Sequence, residues 1–183
     1  MENETVKFTR ECEAIQVPNG TRMTIKEGTN ALITQALGDT WTLVTSNGEM
    51  IRIMGRDADA IGQSSKSSPA DTAVATEDPK EMEEQVWDTL RTCYDPEIPV
   101  NIADLGLVYR CEVSPLEEKN YRVEIDMTLT APACGMGDVL KAEIETKVAE
   151  LPGVKELNVE LVFDPPWDYS MIPDAAKLTL GMM

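Results

Sequence analysis

The stretch TAPACGMGD, residues 130–138, sets Cys134 between Pro132 and two glycines, just ahead of an amphipathic run. A thiol where a strand ends and a helix begins meets the N–H groups and positive dipole end of that helix, which favour the thiolate. Gly135 and Gly137 remove side chains that would block an approaching partner, and Pro132 stiffens the entry. Cys12, Cys93 and Cys111 all lie far from Cys134 in sequence, so the close pairs of a zinc ribbon or ferredoxin are missing. Cys93 continues the helical stripe of Met82, Val86 and Leu90, and Cys111 alternates with Leu107, Tyr109 and Val113, so both read as core thiols. For Cys12 a packing role and a functional one fit the sequence equally well.

The chain has no histidine, which removes Ser/His and Cys/His dyads and every His-ligated metal site. A second group able to do chemistry is the loop DPEIPVNIADLG, residues 95–106, with Asp95, Glu97 and Asp104. Loop carboxylates are ordinarily solvated, and Asp95 also suits a turn cap. Here Ile98, Val100, Ile102 and Leu105 pin the loop to the core, so its carboxylates are held at one end of a sheet. GMG lacks the further glycine and the Lys-Ser/Thr pair of a phosphate cradle, and no arginine lies between Gly135 and Glu145 to close a phosphatase loop.

The elements that position these groups follow from periodicity. Pro79 opens a helix whose stripe is Met82, Val86, Leu90 and Cys93. Two prolines in YDPEIPV end it, so it is expected to run to Asp95. GLVYRCEV and RVEIDMTLT alternate as strands, the second with Val123, Ile125, Met127 and Leu129 inward. Leu140, Ile144, Val148 and Leu151 mark a second helix, stopped by Pro152-Gly153. KELNVELVF closes the pattern with Leu157, Val159, Leu161 and Phe163 inward. The expected fold of 79–183 is therefore α+β: a two-layer helix-strand-strand-helix-strand domain with both helix junctions meeting at one sheet edge.

Residues 57–78 carry almost no large apolar groups and read as a linker. Ahead of them, 1–56 reads as a small all-β module, a meander or open barrel with a thin core. Its hairpin turns are expected at Asn19-Gly20, Gly38-Asp39 and Asn47-Gly48. The tail DPPWDYSMIPDAAKLTLGMM, residues 164–183, reads as a packing tail or a docking surface.

With 33 acidic against 16 basic residues the formal charge is −17, a field that repels nucleic-acid backbones and anionic membranes. MENETVKFTREC has neither the basic start nor the apolar core of a secretion signal, which points to the cytoplasm.

DPEIPVNIADLGLVY, TLTAPACGMGD and FDPPWDYSMIPDAAKLTLGM together resemble the SufT-type iron–sulfur assembly factors. Their domain is shared with PaaD-like proteins and with the cytosolic iron–sulfur targeting factor of eukaryotes. TRECEAIQVPNGT and the β-rich stretch after it resemble the N-terminal extension of the SufT type. The resemblance implies an auxiliary role in iron–sulfur protein maturation, with no enzymatic turnover. It puts the family's reactive cysteine on Cys134, four residues after Thr130, and its acidic motif on Asp95, Pro96 and Glu97, with Asp104 and Gly106 beyond. Many relatives have proline after the cysteine; here Gly135 follows it, as in the SufT type.

One thiol cannot hold a cluster alone, since such clusters are four-cysteine sites. The implied role is a transient relay or adaptor with no stably bound cofactor. Cys134 would serve as a passing cluster ligand, and the partners would be assembly proteins and apo clients. Neither nucleic acid nor membrane is expected as a partner, and a homo-oligomer is left open. Carboxylates beside Cys134 would raise its pKa, which suits a peroxidase poorly but is acceptable beside iron. The alternative from another class is a thiol redox enzyme or sensor built on Cys134.

Overall fold

The computed structural model describes residues 4–64, 69–95, 98–131 and 135–181, which belong to two compact units, Met1–Ser67 and Ser68–Met183. The first unit is an antiparallel six-stranded sheet of β1 (Glu4–Lys7), β2 (Cys12–Gln16), β3 (Arg22–Ile25), β4 (Asn30–Leu37), β5 (Thr40–Thr45) and β6 (Met50–Met54). Gly38-Asp39 makes the two-residue turn between β4 and β5, with Leu37 paired to Thr40. Gly48, at φ +83°, ends the loop between β5 and β6, the left-handed position such hairpins assign to glycine.

The spatial order is β1-β4-β5-β6-β2-β3, so only β4 to β6 form the expected meander. The strand β1 is not marked by its sequence, because ETVK turns a single apolar side chain, Val6, into the core. Phe8, Ile33, Trp41, Leu43, Ile51 and Ile53 fill that core.

Where composition predicts a linker from residue 57, a 3-10 helix instead spans Gly55–Ile61 and buries Ala58, Ala60 and Ile61. Small side chains suffice there because Arg10 bonds to Asp57 and Asp59 and the Thr9 N–H donates to Ala60.

The second unit carries α1 (Pro69–Thr72), α2 (Pro79–Leu90), β7 (Val108–Pro115), β8 (Tyr121–Met127), α3 (Gly137–Ala149), β9 (Val154–Leu161) and α4 (Asp174–Thr179). In α2, Asp78 caps the Lys80 N–H at 2.9 Å and Pro79 takes the first position, both standard helix starts. β7 pairs antiparallel with β8, and α3 carries the chain over to β9, parallel to β8. Helices α2 and α3 bury Met82, Val86, Leu90, Leu140, Ile144 and Val148 against this sheet. Each such side chain contributes roughly 1.5–3 kcal/mol when fully buried. No helix among the described residues is long and apolar enough to cross a membrane.

Three sequence expectations are corrected here, and one alternative is resolved. Helix α2 ends at Leu90 and not at Asp95, because the Thr92 and Cys93 N–H groups close tighter turns onto Thr89 and Leu90. Tyr109 leaves the inward stripe of β7: a register shift between Val108 and Arg110 makes it an extra residue, and Val108 pairs with Met127 in its place. A bulge of this kind moves one side chain to the other face. Phe163 is 46% exposed, since β9 stops at Leu161 and the Asp164-Pro165-Pro166 run follows. The tail is a packing element from Pro165 to Ala176: Ile172 and Ala176 are buried, Trp167 Nε1 donates to the Leu105 carbonyl at 2.9 Å, and Tyr109 Oη donates to the Pro165 carbonyl at 2.8 Å.

Gly106 fits under this tail only as glycine. Its φ is +69°, and a Cβ there would stand 2.8 Å from the Met171 carbonyl oxygen. Gly106→Ala is expected to lower stability by about 1–3 kcal/mol, read as a lower urea midpoint with earlier exposure of Trp167 by fluorescence. An unchanged midpoint would contradict the close approach.

Cys111 gives a pH-dependent expectation. Its half-buried thiol is pushed up from the ordinary 9.0 to about 12, first by burial and then by Glu83. The folded protein therefore holds this proton more tightly than the unfolded chain, so its stabilising effect is complete below pH 9 and is lost as pH rises toward 12. Urea midpoints above pH 9 should fall more steeply in the wild type than in Cys111→Ala. Equal slopes would contradict the burial.

Candidate functional site

The segment after α2 is folded back on itself by its own backbone. Ile102 N–H donates to the Cys93 carbonyl at 2.9 Å, and Tyr94 bridges Asn101. This brings Asp95 inside: its residue is only 5% exposed, so the carboxylate is not the solvated loop acid that its sequence context suggests. Asp95 Oδ1 accepts the Ile98 N–H at 2.9 Å, and Oδ2 accepts the Thr130 hydroxyl at 3.2 Å. The first bond ties Asp95 to Ile98, three residues on in its own loop. The second joins the acidic loop to the segment leaving β8, so two stretches 35 residues apart in sequence meet at one carboxylate.

On the far side of that segment, α3 begins at Gly137 after Met136, with Gly135 exposed and Met136 and Gly137 buried. A Cβ on Gly137 would lie 2.6 Å from Leu129 Cδ1. Gly137 therefore serves close packing of the start of α3 against the exit of β8, and does not keep an approach open as its sequence suggests. Gly135 retains the open reading. The N-terminal end of a helix such as α3 carries a positive partial charge, which favours negative groups placed there.

Of the residues singled out in the sequence, Asp95 and Thr130 are brought together. Asp104 is exposed and held in its own turn: Asn101 Nδ2 donates to its carboxylate, and its N–H donates to Asn101 Oδ1, both at 2.8 Å. Cys134 and Glu97 lie outside the described residues, as do Pro96 and Pro132. Among the described residues no group of three or more Cys, Asp or Glu side chains is arranged to hold a metal ion.

The described thiols sit in poor places for reactivity. Cys93 is wholly buried. Burial followed by Asp57 pushes Cys12 up to about 11, and Cys111 stands near 12. Sequence reasoning missed Glu143 and Lys147, a buried ion pair of 2.9 Å on α3. Their signal was available: they are an acid and a base at i,i+4 that flank the apolar stripe of Leu140, Ile144 and Val148.

The family model described as iron–sulfur cluster assembly protein matches residues 83–161, which include Asp95, Thr130 and the whole three-stranded sheet of the second unit. An Fe–S protein maturation auxiliary factor of Porphyromonas gingivalis is 41% identical over 103 residues, 56% of this chain and 94% of the relative. The maturation auxiliary factor SufT of Staphylococcus aureus is 36% identical, over 48% of this chain and 96% of the relative. The factor YitW of Bacillus subtilis is 33% identical, over 55% and 95%. About half of this chain thus spans each relative almost end to end, and the sheet of the first unit lies outside the family model's match. The chain belongs to the iron–sulfur cluster assembly protein family, alongside proteins named Fe–S protein maturation auxiliary factors.

Proposed function

We propose that this chain is an auxiliary factor in iron–sulfur protein maturation, acting as a transient relay or adaptor through Cys134. The observation that carries the reading is the Asp95–Thr130 contact at 3.2 Å, which joins the flanks of the acidic loop and of the cysteine segment. Membership of a family with maturation factors at 33–41% identity supports it.

The cluster is cargo in this reading, not a resident group. Cys134 is the thiolate ligand in this reading, and the acidic motif of Asp95 and Glu97 offers oxygen donors that hard or borderline iron accepts. The remaining ligands come from an assembly protein, a client, a small thiol or a second copy of this chain. No turnover of its own is required, and the cytoplasm is the proposed compartment. The raised pKa values of Cys12 and Cys111 support a single reactive thiol, since both stay protonated at neutral pH.

The same reading predicts labelling order. In the folded protein Cys134 should be alkylated first at neutral pH, with Cys12, Cys93 and Cys111 protected; faster labelling of any of these three by mass spectrometry would contradict the assignment.

In cells lacking the native copy, Cys134→Ser should lower the activity of iron–sulfur clients. Asp95→Asn with Glu97→Gln should do the same while the circular dichroism spectrum is kept. Normal client maturation in the carboxamide variant would remove the acidic loop from the mechanism. Thiol-dependent peroxide turnover that is lost only in Cys134→Ser would instead favour a redox enzyme.

A further inference from the structure

The buried pair on α3 reaches across to α2. Glu143 is 4% and Lys147 9% exposed, and the ammonium donates to Glu143 Oε1 at 2.9 Å. It also donates to the Thr92 carbonyl at 3.2 Å and lies 3.4 Å from the Thr92 hydroxyl. Thr92 follows the end of α2, where carbonyls lack helical partners and the dipole is negative, so a cation is well placed there.

Stability alone explains the pair poorly. Two charges removed from water lose hydration, and apolar residues of the same volume are often as good or better. Its geometry is more informative. Three residues beyond Thr92 stands Asp95, with wholly buried Cys93 and the bridged Tyr94 between them. The stretch 92–95 is therefore fastened at one end by Lys147 and at the other by the Asp95 contacts to Ile98 and Thr130.

We propose that Lys147, oriented by Glu143, is a positioning residue for the acidic loop: it fixes the end of α2 so that the Asp95 carboxylate meets Thr130. This rests on the maturation role proposed above, and it assigns the pair the task of setting the geometry of that site.

The test is made on the full chain with Glu143→Leu and Lys147→Met together. Amide hydrogen exchange is followed at Ile98, whose N–H donates to Asp95, and at Val123 and Ile125 in β8. The expected result is wild-type protection in β8 with Ile98 exchanging about tenfold faster. Unchanged exchange at Ile98 in the folded variant would overturn the proposal. So would an equal loss at Ile98 and in β8, because the pair would then support the whole fold.

Should the apolar pair not fold, the reversed pair Glu143→Lys with Lys147→Glu carries the same readout. It keeps both charges but moves the ammonium one turn away from Thr92. Failure of both pairs to fold would also overturn the proposal. Client maturation is measured alongside: faster exchange at Ile98 with normal maturation leaves the positioning role standing and removes the acidic loop from the maturation mechanism.

Discussion

A carboxylate withdrawn from water and bonded to two separate loops is the constraint on which the candidate site depends. Asp95 accepts from Ile98 within its own turn and from Thr130 at the exit of β8. Hydrogen bonds to a charged group contribute roughly 1.5–3 kcal/mol, and a buried carboxylate left without them is costly. The loop and the β8 exit are therefore coupled: neither shifts without disturbing the other. Gly137 adds a second constraint, since its missing side chain lets α3 start against Leu129. Thr130 on one side and Gly137 on the other are thereby tied to the packed sheet, as the flanks of a loop on a rigid scaffold are.

Helix and strand positions in the C-terminal unit were largely legible, because burial there follows simple periods. Met82, Val86, Leu90 and Cys93 recur at helical spacing, and Val123, Ile125 and Met127 alternate; all are wholly buried. The departures share a cause, which is local geometry that interrupts a period. A bulge in β7 turns Tyr109 toward the tail, where it bonds to Pro165. The 3-10 helix Gly55–Ile61 was hidden because its buried groups are chiefly alanines, which composition does not separate from a linker.

The site itself was half legible. Proline and glycine marked the two loops, and the resemblance joined them to a function. Pattern alone could not give the burial of Asp95, because an aspartate before a proline usually caps a solvated turn. Nor could it distinguish Gly137, a packing glycine, from exposed Gly135. The Glu143–Lys147 pair resembles any surface i,i+4 pair until α2 is set against α3 and Thr92 meets the ammonium.

The relay account stands or falls on Cys134 handling a cluster. Anaerobic reconstitution of the full chain with iron and sulfide, beside Cys134→Ser, followed by transfer to an apo client, tests it most directly. The account predicts a charge-transfer absorption band in the wild type that fades as the client gains its own cluster, with both events lost in Cys134→Ser. Equal loading and transfer by Cys134→Ser would contradict it.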